Sequence, residues 1–182
     1  MSRMKLAIGV CVLTFMLSIG VISAPRLVAQ EGTATPAIAT TELTPGFTAQ
    51  VLGAVPSDRA PGQTVYTVRF DIQPGASIFP HSHPGTTSLT VYSGTLGWTL
   101  VKGTAHIIRG AAAGATGPVE DVTQPNQEVT LNPGDLIYYE DDVTHTARNP
   151  GNDPTVVYGS FVLTAGAPLL MPAGMNMGTP TP

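Results

Sequence analysis

The chain has 182 residues, with 8 basic against 12 acidic side chains, 11% charged residues, 17 Pro and 20 Gly. That length suits one domain with extensions, and the many turn formers, without a sustained helical period, argue for an all-β domain and against a helical bundle. The acidic balance argues against nucleic acid or an anionic membrane surface as partner.

At the N-terminus, Arg3 and Lys5 precede an apolar run over residues 6–22 that is broken only by Gly9, Thr14, Ser18 and Gly20. A basic segment followed by an apolar one is the pattern of an export signal. Cleavage after Ala29 puts Leu27 and Ala29 at the −3 and −1 positions, whereas Pro25 opposes a cut after Ala24. An uncleaved anchor is the alternative, since the run approaches the ~20 residues that span a bilayer. The expectation is a signal peptide over 1–29 and a mature protein outside the cytoplasmic membrane, secreted or in the cell envelope, with no membrane attachment after cleavage. Cleavage deletes Arg3, Lys5 and Arg26 and no acid, which leaves 5 basic against 12 acidic residues, net −7. The single cysteine, Cys11, falls inside the signal, so the mature chain carries no disulfide and depends on its core.

Residues 30–46 are rich in Thr, Ala and Pro and read as a flexible tether. The β domain is expected over 47–166. Residues 47–55 alternate loosely up to Pro56. Residues 64–73 alternate cleanly, with Tyr66, Val68, Phe70 and Ile72 on one face and Thr67, Arg69 and Asp71 on the other. Further strands are predicted over 77–83, 87–93, 95–102, 105–109, 127–131, 136–140, 144–149 and 155–164, separated by Pro-Gly, Ser-Gly and Lys-Gly turns. Residues 110–126 read as a small-residue loop. About ten short strands without a helix leave a sandwich, a jelly roll or a barrel. The end, 167–182, reads as a flexible tail. Its Met171, Met175 and Met177 are soft thioether donors of the kind that hold copper(I).

Four histidines punctuate this scaffold. His81 and His83 stand two apart in Pro80-His81-Ser82-His83-Pro84, so on a strand they point the same way. His145 lies in a second block that runs from Gly134 to Asn149. His106 lies outside both blocks, between Ala105 and Ile107, and reads as a surface or satisfied-core residue.

These blocks resemble the two motifs of the cupin superfamily. Gly75, five residues, His81-Ser82-His83 and later Gly94 match the first motif; Gly134, His145 and Asn149 match the second. The resemblance covers about residues 65–163. It implies a single-domain cupin jelly roll, a double-stranded β-helix barrel, with His81, His83 and His145 as ligands of a divalent transition metal (Fe, Mn, Cu, Zn or Ni). His145 is expected to enter from a strand across the barrel. Gly75, Gly94, Gly134 and Asn149 take structural roles, and a homodimer is a state that the family often realises.

The sequence departs from the motifs at Thr87, which stands where the family commonly has a fourth ligand, Glu, and at Glu140 and Asp142, which replace a Pro and a Gly. Three neutral imidazoles without a carboxylate leave +2 at the site. That charge favours an anionic fourth ligand. Thr87 is expected to face a bound water or the substrate, while Glu140 or Asp142 is an alternative source of the missing acid. Trp98, Tyr92, Tyr138 and Phe79 are candidates for pocket walls. The functional expectation is a metal-dependent oxygenase, hydrolase or isomerase of a small anionic substrate. The alternative is a non-catalytic module that binds a metal or a small ligand outside the cytoplasm.

Overall fold

The structure, a computed structural model, describes residues 39–113 and 117–174. The expected signal peptide, residues 30–38 of the tether, and Met175 and Met177 lie outside the described residues.

Among the described residues there are thirteen strands and one turn of 3-10 helix, Ala111–Ala113. The strands are β1 (Thr40–Thr44), β2 (Phe47–Pro56), β3 (Gln63–Ile72), β4 (Ser77–Ser82), β5 (Gly85–Ser93), β6 (Leu96–Lys102), β7 (Ala105–Ile108), β8 (Glu120–Val122), β9 (Glu128–Leu131), β10 (Leu136–Tyr139), β11 (Thr144–Arg148), β12 (Thr155–Thr164) and β13 (Met171–Pro172). They form an eight-stranded sheet in the order β1-β2-β3-β12-β5-β10-β7-β8 and a five-stranded sheet in the order β13-β4-β11-β6-β9, with every pairing antiparallel. This is the two-sheet jelly-roll barrel that the resemblance implies.

Alternation places the core. On β3, Val68, Phe70 and Ile72 are buried while Arg69 and Asp71 pair on the opposite face at 2.7 Å. β12 lies between β3 and β5 and sends Val157, Phe161 and Leu163 inward. Trp98 and Leu100 on β6, with Ile137 and Tyr139 on β10, complete the interior from both sheets.

Three segments differ from expectation. Residues 40–46 are not tether: Thr40 pairs with Gln50 and Thr41 with Ala49, and Gly46 turns the chain into β2. Their side chains are mostly exposed, so the backbone ladder to β2 supplies what composition does not. The loop 110–126 contains β8, which pairs Val122 with Ala105 along β7. The beginning of the tail is also ordered, because Met171 and Pro172 pair with Ser82 and His81 at the free edge of β4.

Gly75, Gly94 and Gly134 have φ of 75°, 75° and 93°. At Gly94 both reasons for glycine apply, since a Cβ there would lie 2.7 Å from Thr155 Cα. Asn149 is wholly buried and ties three strand ends together. Its Nδ2 donates to Ile72 O at 3.0 Å and to Asp153 O at 2.8 Å, and its Oδ1 accepts from Gly151 N. Its backbone bonds Ala76 and Gly75, just ahead of β4. Asn149→Ala would leave buried carbonyls without donors and should cost about 2 kcal/mol or more, read as a lower denaturant midpoint; an unchanged midpoint would refute the tie.

Candidate metal centre

β4 and β11 are hydrogen-bonded neighbours, and His145 stands directly opposite His81 in their register. The third imidazole therefore comes from the adjacent strand, not from across the barrel as the pattern had suggested. The sequence sets strand faces but not strand order, and antiparallel neighbours bring paired side chains closest. His83 follows two residues after His81 and keeps the same inward direction. Ring centroids are 4.3 Å apart for His81–His145, 5.0 Å for His81–His83 and 5.4 Å for His83–His145. One nitrogen from each ring lies within 4.8 Å of the others, and all three residues are buried.

The hydrogen bonds fix two of the tautomers. His81 Nδ1 donates to Phe79 O at 2.8 Å, and His83 Nδ1 donates to Leu169 O at 2.6 Å. A carbonyl only accepts, so both Nδ1 atoms carry the proton and both Nε2 lone pairs are free. A ring N–H held by a carbonyl is the usual support of a metal-ligating histidine. His145 Nε2 lies 3.1 Å from the Tyr139 hydroxyl, and its buried Nδ1 has no partner among the described residues. Trp98 stacks on the His145 ring at 5.0 Å and 17°.

Burial shifts the protonation of all three. The His81 pKa is lowered, chiefly by desolvation and partly offset by the bond to Phe79 O. His83 is pushed down to about 3 by burial and by the neighbouring His81, against the opposing bond to Leu169 O. His145 is held well below its ordinary value by burial, then by His81 and His83. Burial thus favours the neutral form of all three imidazoles, which is the form that binds metal. Three neutral imidazoles, with two free lone pairs and one orphaned buried nitrogen, fit a divalent transition metal.

The alternative acid is not in the cluster. Glu140 is exposed and accepts from Thr86 Oγ1 at 2.6 Å, and Asp142 is also exposed. Thr87 is fully buried with its Oγ1 unpartnered. In register it stands between Tyr139 and Phe161, and these touch the site: Tyr139 at His145, Phe161 with its ring 5.0 Å from His83. Thr87→Glu should supply the absent carboxylate and tighten metal binding about tenfold or more, since ~1.4 kcal/mol of contact is a factor of ten. Unchanged affinity in competition against a chelator would show that position 87 does not reach the ion.

A cavity of ≈ 30 Å³ abuts the histidines and is otherwise walled by apolar side chains, among them Phe70, Ile78, Leu89 and Leu170. Of the suggested wall residues, Trp98 is buried against His145, whereas Tyr92 and Phe79 are exposed and Tyr138 stacks on His106. His106 itself lies outside the cluster, with its Nδ1 2.8 Å from Asp121 Oδ1. Sequence reasoning missed Tyr139, Phe161 and the Leu169 carbonyl. The first two had a signal, because each shares a strand face with buried neighbours, Ile137 and Leu163 respectively. A backbone acceptor has none.

A two-sheet barrel enclosing three histidines on adjacent strands defines a metal-binding cupin. Residues 57–168 match the sequence model of the family described as Cupin, and the chain belongs to that family. No curated protein matches it. Similar solved structures include a mutant of oxalate decarboxylase from Bacillus subtilis, at 17% identity and TM-score 0.46 over 71% of this chain and 28% of that one. A cupin superfamily protein from Desulfitobacterium hafniense has 16% identity and TM-score 0.43 over 69% and 84%. An RmlC-like cupin from Shewanella frigidimarina has 15% and 0.39 over 71% and 87%. The chain spans little more than a quarter of the oxalate decarboxylase chain it aligns with.

Proposed function

We propose that this cupin is an exported, metal-dependent oxygenase of a small organic anion. The observation that carries the reading is the apolar cavity of ≈ 30 Å³ that opens on three neutral imidazoles. Apart from the three histidine nitrogens, which a bound ion would occupy, the lining side chains are apolar, and water in a buried site needs two to four polar partners. Dioxygen is apolar and small, and it gains by leaving water for such a space. A redox-active metal, iron, manganese, copper or nickel, supplies the electron exchange that the side chains lack.

The remaining roles belong to the chain. His81, His83 and His145 hold the ion, and Phe79 O and Leu169 O hold two of them in the binding tautomer. Among the described residues no carboxylate lines the cavity, so a bound ion would keep its full positive charge for the anionic group of a substrate. The Thr87 and Tyr139 hydroxyls lie outside the cavity lining, and Tyr139 reaches the site through its contact with His145 Nε2. Isomerisation and base-assisted hydrolysis fit less well, because they need a positioned proton acceptor and the lining residues include no Asp, Glu or Lys. That same lack favours a second reading, a non-catalytic module that holds a metal and a small anion.

The test is oxygen uptake by mature protein loaded in turn with each metal and offered catechol, flavonol and diketone substrates. Uptake dependent on metal and substrate supports the oxygenase; tight binding of the anions without uptake under any metal supports the module. Export rests on the basic-then-apolar pattern of residues 3–22. Protein recovered from outside the cytoplasm should begin at Gln30, and accumulation of the intact chain inside would remove that part of the proposal.

A further inference from the structure

The site is completed by a segment that does not belong to the barrel strands of either motif. After β12 the chain turns at Gly166 and runs back along β4. Met171 pairs with Ser82, Pro172 pairs with His81, and Ala173 N donates to Pro80 O at 2.8 Å. Just before this, the Leu169 carbonyl accepts the 2.6 Å bond from His83 Nδ1, and the Leu170 side chain walls the cavity. Leu169 and Leu170 both pack against the core. One short segment, 168–174, thus supplies an acceptor for a metal-ligand histidine, a wall of the cavity and the outer neighbour of the His81–His83 strand.

We propose that this segment is a positioning strap whose docking is thermodynamically linked to the metal, with Leu169 as the residue that carries the linkage. The strap is held by a two-residue strand at a sheet edge, an element of the kind that opens locally at low cost. Docked, it fixes the His83 proton on Nδ1 and leaves Nε2 for the ion. Undocked, the buried N–H loses its acceptor and the imidazole is free to take the other tautomer and to turn. A metal that needs the His83 Nε2 lone pair therefore binds the docked form better, and by reciprocity it stabilises docking by the same factor. The proposal rests on the metal site alone and is independent of whether the reaction is an oxygenation.

The experiment uses the full mature chain, a chain ending at Ala167, and Ala173→Pro, which removes the donor to Pro80 O while keeping every strap side chain except that of residue 173. The probe is Mn(II) or Co(II) alone, without oxygen or substrate. Loss of the outer partner of a ligating histidine should weaken metal binding about 10- to 100-fold in the shortened chain, and by a smaller factor in Ala173→Pro. In the full chain, metal should slow hydrogen exchange of the Ala173 amide. Nitrogen-15 spectra of the metal-free forms should show His83 protonated at Nδ1 in the full chain and a tautomer mixture in the shortened one. That readout is not moved by a segment that merely adds stability. If the shortened chain fails to fold, Ala173→Pro carries the test. Unchanged metal affinity in a folded variant, or Ala173 exchange indifferent to metal, overturns the strap. A full chain that binds neither ion overturns the strap and the metal site together, whereas metal binding without any oxygen uptake overturns only the oxygenase reading.

Discussion

Replacing His145 by Ala is expected to lower the affinity for a divalent transition metal by more than a hundredfold. Removing only an outer partner of a ligating histidine costs about 10- to 100-fold, and loss of the ligand itself must exceed that. Two imidazoles would remain, with no carboxylate in the cluster to take the empty position. His81→Ala and His83→Ala should behave alike, because the three rings contribute one donor each. Elemental analysis of the purified variants, with titration of Co(II) into the stripped forms, reads the effect. Two controls separate ligand loss from damage to the barrel. His145→Phe keeps an aromatic ring against Trp98, which stacks on the imidazole at 5.0 Å, and should still lose the metal. His106→Ala removes the one histidine outside the cluster and should retain full metal content. Wild-type stoichiometry in any of the three ligand variants would sink the site.

The chemistry of this centre was legible because it is written in side chains, and its geometry was less legible because much of that is written in register and backbone. The period-2 alternation of residues 64–73 and 155–164 identifies buried faces, since each inward residue sits two from the next. All ten predicted strands are present. The same alternation says nothing about which strand lies beside which, and so His145 was placed across the barrel when it faces His81 on the next strand. β1 and β13 were invisible for a different reason. Thr40–Thr44 and Met171–Pro172 have little inward apolar surface of their own, and their order comes from ladders donated by β2 and β4. Leu169 acts through its carbonyl, which every residue type shares. Thr87 shows the reverse case. A departure from a motif is readable in sequence, while its consequence, a buried hydroxyl without a partner between Tyr139 and Phe161, needs the strand pairings.

Burial of three histidines also makes the metal-free protein acid-sensitive, and the sign follows from proton counting. In the unfolded chain each imidazole takes its proton near pH 6.5. In the folded chain His83 does so only at about 3, with His81 and His145 also lowered, all three chiefly by burial. Between those limits the unfolded state binds more protons, so stability is complete above pH 6.5 and falls as the pH drops toward the folded values. Each depressed group contributes a slope of about 1.4 kcal/mol per pH unit within its window. The three contributions add; the slope is shallow near pH 6.5, where the unfolded imidazoles are half protonated, and steepens as the pH drops, against a total stability of about 5–15 kcal/mol for a domain. The stripped protein should therefore unfold on acidification while carboxylates such as Asp135, whose lowered pKa acts only below its ordinary range, are still ionised. Circular dichroism during acid titration of the chelator-treated chain reads this loss. Metal-loaded protein should hold its structure to lower pH, because protons must then displace the ion before they reach the imidazoles. A variant with His81, His83 and His145 all replaced by Leu should have a flat profile from pH 6.5 down to the carboxylate range. An acid midpoint in that variant equal to the stripped wild type would show that the buried histidines do not set the sensitivity.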